Sequence, residues 1–174
     1  MARIVGYIAA SLDGFIADEN EGLDWLFKAP AELGEHHYDI FIKRIRTIVM
    51  GRATYDWLAR SGMDWAYGAQ RVFVVTSRPI DNPIGALETR SDIDALIAEL
   101  RALDDGDVWM LGGGKLQMAF IERGALDEIE VYVTSALVGG GYPLFPPTGH
   151  KATLKLLSAK ALGVGMARLH YSFG

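Results

Sequence analysis

Short apolar runs rich in β-branched residues alternate with segments of helical periodicity along this 174-residue chain. The clearest runs are residues 3–10, 47–50, 71–76, 107–111 and 127–134. Nearly continuous apolar runs of this length are typical of strands that are covered on both faces, as in parallel sheets between helices. The alternation therefore predicts an α/β domain with three layers, α/β/α, around a mostly parallel mixed sheet.

Segments with a helical spacing of apolar residues lie between these strands. The predicted helices are residues 31–44, residues 54–60, a helix capped by Ser91, and a helix that begins after the glycines at 112–114 and ends at Gly124. The third has the strongest pattern, because its apolar residues between Ile93 and Leu100 recur at i, i+3, i+4 and i+7. Ser91 and Asp94 form a capping box at its start.

The end of the chain has a different pattern. Leu169, Tyr171 and Phe173 alternate with polar residues, which predicts that 152–159 and 164–173 form an antiparallel C-terminal hairpin. The chain contains no low-complexity tract, charge block or repeat that could separate two units. We therefore expect residues 1–174 to form a single domain.

Composition excludes several classes of function. Seventeen Lys and Arg against 22 Asp and Glu give a formal charge of -5, so the chain has no overall field that would attract nucleic acid or anionic lipid. No apolar run reaches the ~18 residues of a membrane-spanning helix. The absence of cysteine excludes disulfides, thiolate catalysis and cysteine-ligated metals, and is compatible with the cytoplasmic location that we expect.

A glycine turn after the strand at 107–111 is a candidate anion site. Gly112, Gly113 and Gly114 lead from this strand into a helix, where free backbone N–H groups and the helix dipole favour an anion that Lys115 could also contact. The turn is neither a Walker A nor a Rossmann motif, because Leu116 takes the place of the Walker Ser/Thr and Gln117 that of the third Rossmann glycine. A purely structural glycine turn is the alternative.

Two further strand ends are basic or rich in small polar residues. They are Gly51, Arg52 and Thr54 after the strand at 47–50, and Thr76, Ser77 and Arg78 at the end of the strand at 71–76. Ligands of open α/β sheets bind at the carboxyl ends of parallel strands, where these groups would converge. Their convergence predicts a site for a phosphorylated dinucleotide, whereas either arginine taken alone is more often a solvated or surface-paired residue.

Metal sites are not predicted. His36 and His37 are adjacent, so on a helix their side chains would point about 100° apart. The acidic stretch that begins at Asp18 starts like a calcium-binding loop, but Leu23 stands where that loop requires glycine and Ala29 where it requires glutamate. We expect His170, on the polar face of the last strand, to be solvated.

The order of several motifs resembles a known family. The motifs are IVGYIAASLDGFIA, IVMGRATYDWL, VFVVTSRP, VWMLGGGKLQMAFIERGALDEIEVYVT and GGGYPLF. Together they resemble the dihydrofolate reductase-like superfamily, and within it the branch of the C-terminal reductase domain of the bifunctional riboflavin-biosynthesis deaminase/reductase and its stand-alone relatives. The resemblance covers nearly the whole chain and implies the dihydrofolate reductase-like fold and NADPH as cofactor.

The resemblance also implies a role for individual residues. Gly112, Gly113, Gly114 and Lys115 would hold the pyrophosphate, while Arg52, next to Gly51, would surround the adenosine ribose and its 2′-phosphate together with Thr76, Ser77 and Arg78. Thr54 would lie by the pyrophosphate and the nicotinamide ribose, and the backbone of Ala9 and Ala10 would meet the carboxamide. Residues 11–23 match the mobile loop that covers the cofactor in this family.

The sequence indicates less about the substrate that accepts the hydride than about the cofactor. Glu32, Glu35 and Asp39 give no clean match to the carboxylate that grips the pterin in folate reductases, so folate reduction is not expected. Asp24, beside Trp25, resembles the stand-alone relatives and is the candidate catalytic acid. We expect an NADPH-dependent reductase that transfers a hydride to a small, heterocyclic acceptor such as a pterin or a pyrimidine.

Three alternatives stay open at this point. The chain could be a nucleotide-binding module of the same fold without turnover, a 5-amino-6-(5-phosphoribosylamino)uracil reductase of riboflavin biosynthesis, or a non-reductive enzyme that binds another phosphate compound. The resemblance implies a homodimer, for which the apolar stretch 144–147 is a candidate contact.

Overall fold

Eight strands form one mixed sheet in the computed structural model, which describes residues 1–174. In order across the sheet they are β5 (Glu88–Arg90), β4 (Arg71–Val75), β3 (Ile45–Gly51), β6 (Asp107–Gly112), β1 (Ile4–Ala10), β7 (Glu128–Thr134), β10 (Met166–Ser172) and β9 (Lys155–Ala161). The first six are parallel, and β10 is antiparallel to both β7 and β9. This arrangement confirms the predicted mostly parallel sheet with an antiparallel C-terminal hairpin.

Five α-helices and a small second sheet complete the fold. The helices are α1 (Asp24–Phe27), α2 (Tyr38–Phe41), α3 (Arg52–Arg60), α4 (Ile93–Arg101) and α5 (Gly114–Glu122), and the second sheet pairs β2 (Phe15–Ala17) with β8 (Tyr142–Pro143). None of the helices is long and apolar enough to cross a membrane.

Local backbone geometry explains where the predicted helices were wrong. The helix predicted at 31–44 is broken into 3-10 turns at Gly34–His36 and Ile42–Arg44 with α2 between them. Gly34 has a φ of 51° and His37 is extended, so neither continues an α-helix. The N-cap of α4 is Asp92 rather than Ser91, because the Asp92 carboxylate accepts the Ala95 N–H at 3.0 Å.

Two apolar cores lie on opposite faces of the sheet because successive strand residues point in opposite directions. On β4, Phe73 belongs to the core under α4 and α5, whereas Val72 and Val74 belong to the core with α2 and α3. The second core includes an aromatic cluster, in which Phe41 stacks on the partly buried Tyr7 at 4.1 Å between ring centroids. Both faces of the central strands are thus covered, as their continuous apolar sequence predicts.

A buried ion pair joins β7 to β10. Arg168 Nε donates to Glu130 Oε2 at 2.9 Å, and Tyr132 donates to the same oxygen at 2.9 Å. Burial alone would raise the pKa of Glu130, but these two hydrogen bonds hold it below its ordinary value. His170, expected to be solvated, instead lies 2.9 Å from Glu128 in the same network.

The strand order places a crevice between β3 and β6. These neighbours pair in parallel, and the chain leaves β3 towards β4 but leaves β6 towards β7, on the other side. Connections that diverge in this way open a crevice outside the carboxyl ends of the two strands, where ligands of α/β sheets bind.

Arg168→Met is expected to destabilise the fold at neutral pH by ~3 kcal/mol, because it leaves the Glu130 carboxylate buried without its main partner. The folded-state pKa of Glu130 is lowered, so the pair stabilises the fold above the unfolded pKa of that group, and this contribution is lost as the pH falls through the folded pKa. Urea unfolding at pH 7 and at pH 4 should show the difference from wild type shrinking at the lower pH.

The matched control is Arg123→Gln, which breaks the exposed pair with Asp94 and should change the free energy of unfolding by less than ~0.5 kcal/mol. Equal losses in the two variants would contradict a stabilising role for the buried pair.

Candidate functional site

The starts of α3 and α5 lie side by side at the crevice. A Cβ atom added to Gly51 would lie 3.8 Å from the Gly112 carbonyl oxygen and 3.9 Å from the Gly113 nitrogen. A Cβ on Gly113 would lie 3.5 Å from the Thr54 hydroxyl oxygen. The glycine turn and the segment after β3, which are far apart in sequence, thus form one site.

Both helices begin with free backbone donors. Gly51 caps α3 and Gly113 caps α5, and neither N-terminus receives a hydrogen bond from a capping side chain. The first-turn N–H groups and the positive ends of the two helix dipoles therefore remain available to an anion. Lys115, in the first turn of α5, is exposed and forms no ion pair, so it adds a free positive charge at this point.

Glycine is required at two positions of the turn for different reasons. Gly112 has a φ of 132°, which only glycine adopts without strain. A Cβ on Gly114 would lie 2.7 Å from the Pro143 carbonyl oxygen and 3.0 Å from Pro146 Cδ. Glycine is therefore required at 114 for close packing against the segment around β8, in addition to any contact with a ligand.

A hydrogen-bonded turn follows β4. The Thr76 hydroxyl accepts the Arg78 N–H at 3.1 Å, and Arg52 Nη1 donates to the carbonyls of Arg78 and Pro79 at 3.1 and 3.2 Å. Arg52 Nε is paired with Asp56 at 2.8 Å. Arg52 thus holds the turn in place, whereas the Arg78 guanidinium is exposed and has no partner within the protein.

The end of β1 opens beside this crevice. Pairing of β1 with β6 stops at Gly6 and Met110, while its pairing with β7 continues to Ala10 and Val133. Ala9 and Ala10 are therefore without a strand partner on the β6 side.

Residues 11–23, which we call the strap, connect β1 to α1. Asp13 fixes the start of the strap, because its carboxylate accepts the N–H groups of Val138 and Gly139 and the Ser11 hydroxyl. The hydrogen bonds from Ser11 and from the two backbone groups lower the pKa of Asp13 to about 2. The strap is thus anchored by a carboxylate that stays ionised under ordinary conditions.

Asp24 is apart from these groups. It is the first residue of the four-residue helix α1, is exposed, and its carboxylate forms no hydrogen bond or ion pair with the protein. The strand ends therefore bring together the predicted nucleotide residues, but no contact joins Asp24 to them.

The sequence did not indicate two polar features of the structure. The Thr134 hydroxyl, at the end of β7, is buried and has no hydrogen-bond partner. Trp57, on α3, donates its indole N–H to the Glu21 carbonyl in the strap at 3.1 Å. A threonine that ends an apolar strand is a weak signal for the first, while nothing local to Trp57 or Glu21 indicates the second.

The sequence of this chain is similar to those of known proteins. The family model of the RibD C-terminal domain matches residues 3–167. The chain is 30% identical over 172 residues to the uncharacterized protein YwjB of Bacillus subtilis (strain 168), with 97% of each chain covered.

Solved structures are similar to this chain over nearly its whole length. A putative riboflavin biosynthesis protein from Shewanella sp. PV-4 has a TM-score of 0.86 and 27% identity, with 100% of this chain and 99% of that chain covered. Dihydrofolate reductase from Enterococcus faecalis, solved in complex with NADP(H), has a TM-score of 0.63 and 16% identity, with 98% and 95% covered, which shows a shared fold. This chain belongs to the RibD C-terminal domain family and has the dihydrofolate reductase-like fold.

Proposed function

We propose that this protein is an NADPH-dependent reductase that transfers a hydride to a small heterocyclic acceptor. The observation that carries the proposal is the convergence of two uncapped helix starts at the crevice between β3 and β6. An unpaired cation accompanies each of them: Lys115 in the first turn of α5, and Arg78 in the turn that Arg52, at the start of α3, holds in place. Such a concentration of free donors and positive charge suits a ligand with several phosphates.

The available groups fit the parts of NADPH. The N–H groups of the glycine turn and Lys115 suit the pyrophosphate, and the Thr54 hydroxyl faces Gly113 between the two helices. Arg78, exposed and unpaired, suits the 2′-phosphate that distinguishes NADPH from NADH. Ser77 lies in the same turn, which Arg52 and Thr76 hold together. The backbone of Ala9 and Ala10 would hold the carboxamide.

The protein's part in the reaction is positioning. When bound, NADPH supplies the hydride from its nicotinamide ring. The end of β1 holds the carboxamide, which fixes the orientation of the ring, and the strap excludes water from the crevice. Asp24 is the acid that we propose as proton donor to the reduced acceptor. Because the exposed Asp24 carboxylate has no partner in the protein that would position it, we keep one second candidate function, a nucleotide-binding module of the same fold without turnover.

Wild-type protein should bind NADPH with micromolar affinity and NADH much more weakly. Arg78→Ala should weaken NADPH binding by at least about tenfold, because it removes a charge-assisted contact to the 2′-phosphate, and should leave NADH binding nearly unchanged. Calorimetric titration of both nucleotides measures these affinities. Arg52→Ala should weaken both nucleotides, since Arg52 holds the turn itself.

Arg123→Gln, remote from the crevice, is the matched control and should bind like wild type. Absence of NADPH binding by the wild type would overturn the proposed function, and equal losses of NADPH and NADH in Arg78→Ala would overturn the role of Arg78.

Turnover separates the reductase from the binding module. We expect NADPH oxidation, followed at 340 nm with a panel of pterins, pyrimidines, quinones and nitroaromatics, to be catalysed with at least one acceptor. Asp24→Asn should lower kcat by about a hundredfold if Asp24 donates the proton, with NADPH affinity unchanged. NADPH binding without turnover on any acceptor would favour the binding module.

We also propose a homodimer through the apolar groove between α5 and the strands β7 and β10. This groove of about 520 Å³ is lined almost entirely by hydrophobic residues, and Phe145 at its edge is 45% exposed. Leu144, in the predicted contact stretch, also lines the groove but is largely buried. An uncharged patch can meet its own copy across a two-fold axis without opposing like charges, which favours a second copy of a chain with charge -5.

Sedimentation equilibrium should therefore give twice the monomer mass, and Phe145→Ser should shift the equilibrium towards monomer because it removes apolar contact area. Exposed Val164→Ser, outside the groove, is the control. A monomer at all concentrations of wild-type protein would contradict the dimer.

A further inference from the structure

The tip of the strap is a closed five-residue turn. Asp18 Oδ1 accepts the N–H groups of Asn20 and Gly22 at 2.8 and 2.7 Å, and the Asp18 N–H donates to the Gly22 carbonyl at 3.1 Å. The turn therefore satisfies most of its own backbone polar groups, but the Glu21 carbonyl is bonded outside it.

Glu21, in this turn, makes two contacts with α3. Its carbonyl accepts the Trp57 indole N–H at 3.1 Å, and its carboxylate pairs with Arg60 Nη2 at 2.6 Å. Glu21 has a φ of 61°, a left-handed conformation that is unfavourable for a residue with a side chain. The contacts to α3 occur at the one non-glycine residue of the strap whose backbone has this conformation.

The other end of the strap is fixed on the opposite side of the crevice. β2 pairs with β8, and the Leu144 N–H donates to the Gly14 carbonyl at 2.8 Å. The Pro143 carbonyl in β8 packs against Gly114 at the start of α5. The strap thus runs from the segment beside α5 to the outer half of α3, and these are the two helices whose N-termini flank the crevice.

We propose that Trp57 and Arg60 are positioning residues, which hold the strap closed over the crevice through Glu21 and so limit the rate at which the nucleotide leaves. This inference rests on the proposed binding of NADPH. It also couples the strap to the nucleotide contacts, because α3 carries Arg52 and Thr54 at its start and Trp57 and Arg60 beyond them.

The two contacts should contribute unequally. The side chains of Arg60 and Glu21 are 60% and 41% exposed, so their ion pair is screened by water and contributes little. The hydrogen bond from Trp57 is partly buried and joins a neutral donor to a backbone carbonyl, so it does not depend on salt. Trp57 is therefore expected to be the main contact and Arg60 the minor one.

Two variants test the inference. Trp57→Phe keeps an aromatic ring on α3 but removes the N–H donor, and Arg60→Gln removes the charge. The nucleotide dissociation rate is measured by stopped flow, with NADPH fluorescence as the signal and excess NADP⁺ as competitor. Amide hydrogen exchange of residues 19–22 is measured in the nucleotide-free protein, and urea unfolding reports global stability.

Trp57→Phe should raise the dissociation rate by about three- to tenfold and speed amide exchange at 19–22, with a smaller effect for Arg60→Gln that disappears at high salt. Arg60→Lys should restore part of the difference, and Arg123→Gln, which breaks an exposed pair elsewhere, should change neither quantity. The dissociation rates are compared under conditions in which the wild type and the variants are all fully folded. A difference in rate then does not result from a loss of global stability.

An unchanged dissociation rate in Trp57→Phe would overturn the inference while leaving the proposed function intact. Unchanged amide exchange at 19–22 would also overturn it, because the strap would then be held by other contacts. Absence of NADPH binding by the wild type would overturn the proposed function, and the inference with it.

Discussion

The parallel pairing of β3 with β6 is the constraint on which the site depends. Its register opposes Met50 to Gly112, so the two chain segments that leave these strands start at the same height on the sheet. Any slip of one residue would turn every side chain of one strand to the other face and would separate the two apolar cores from their helices. The register that fills the cores therefore also brings α3 and α5 together at the crevice.

Much of this architecture could be predicted from sequence because it follows from local patterns. The β-branched runs gave the parallel strands, the alternation at Leu169, Tyr171 and Phe173 gave the terminal hairpin, and glycine followed by a helical pattern gave α5. The continuous helix predicted at 31–44 was wrong. The apolar residues there do have helical spacing, but Gly34 and His37 adopt backbone angles that end a helix.

The contacts between distant segments could not be predicted in the same way. That Arg52 Nη1 donates to the carbonyls of Arg78 and Pro79 was not indicated by the sequence. Asp13 caps backbone groups 125 residues away, and Glu21 contacts Trp57 across the crevice. Such contacts depend on how loops cross the sheet edge, and the residue types involved are equally compatible with a solvated surface.

Arg52 and Arg78 have different roles in this protein, and the difference affects how its nucleotide preference can change. Arg52 pairs with Asp56 and donates to two carbonyl groups, whereas the Arg78 guanidinium forms no hydrogen bond or ion pair in the protein. Replacement of the Arg78 side chain therefore removes no native hydrogen bond or ion pair, while replacement of Arg52 would loosen a turn. Under the proposed function, the preference between the two nicotinamide nucleotides can drift during evolution, or be redesigned, without a loss of fold stability that other mutations would have to offset.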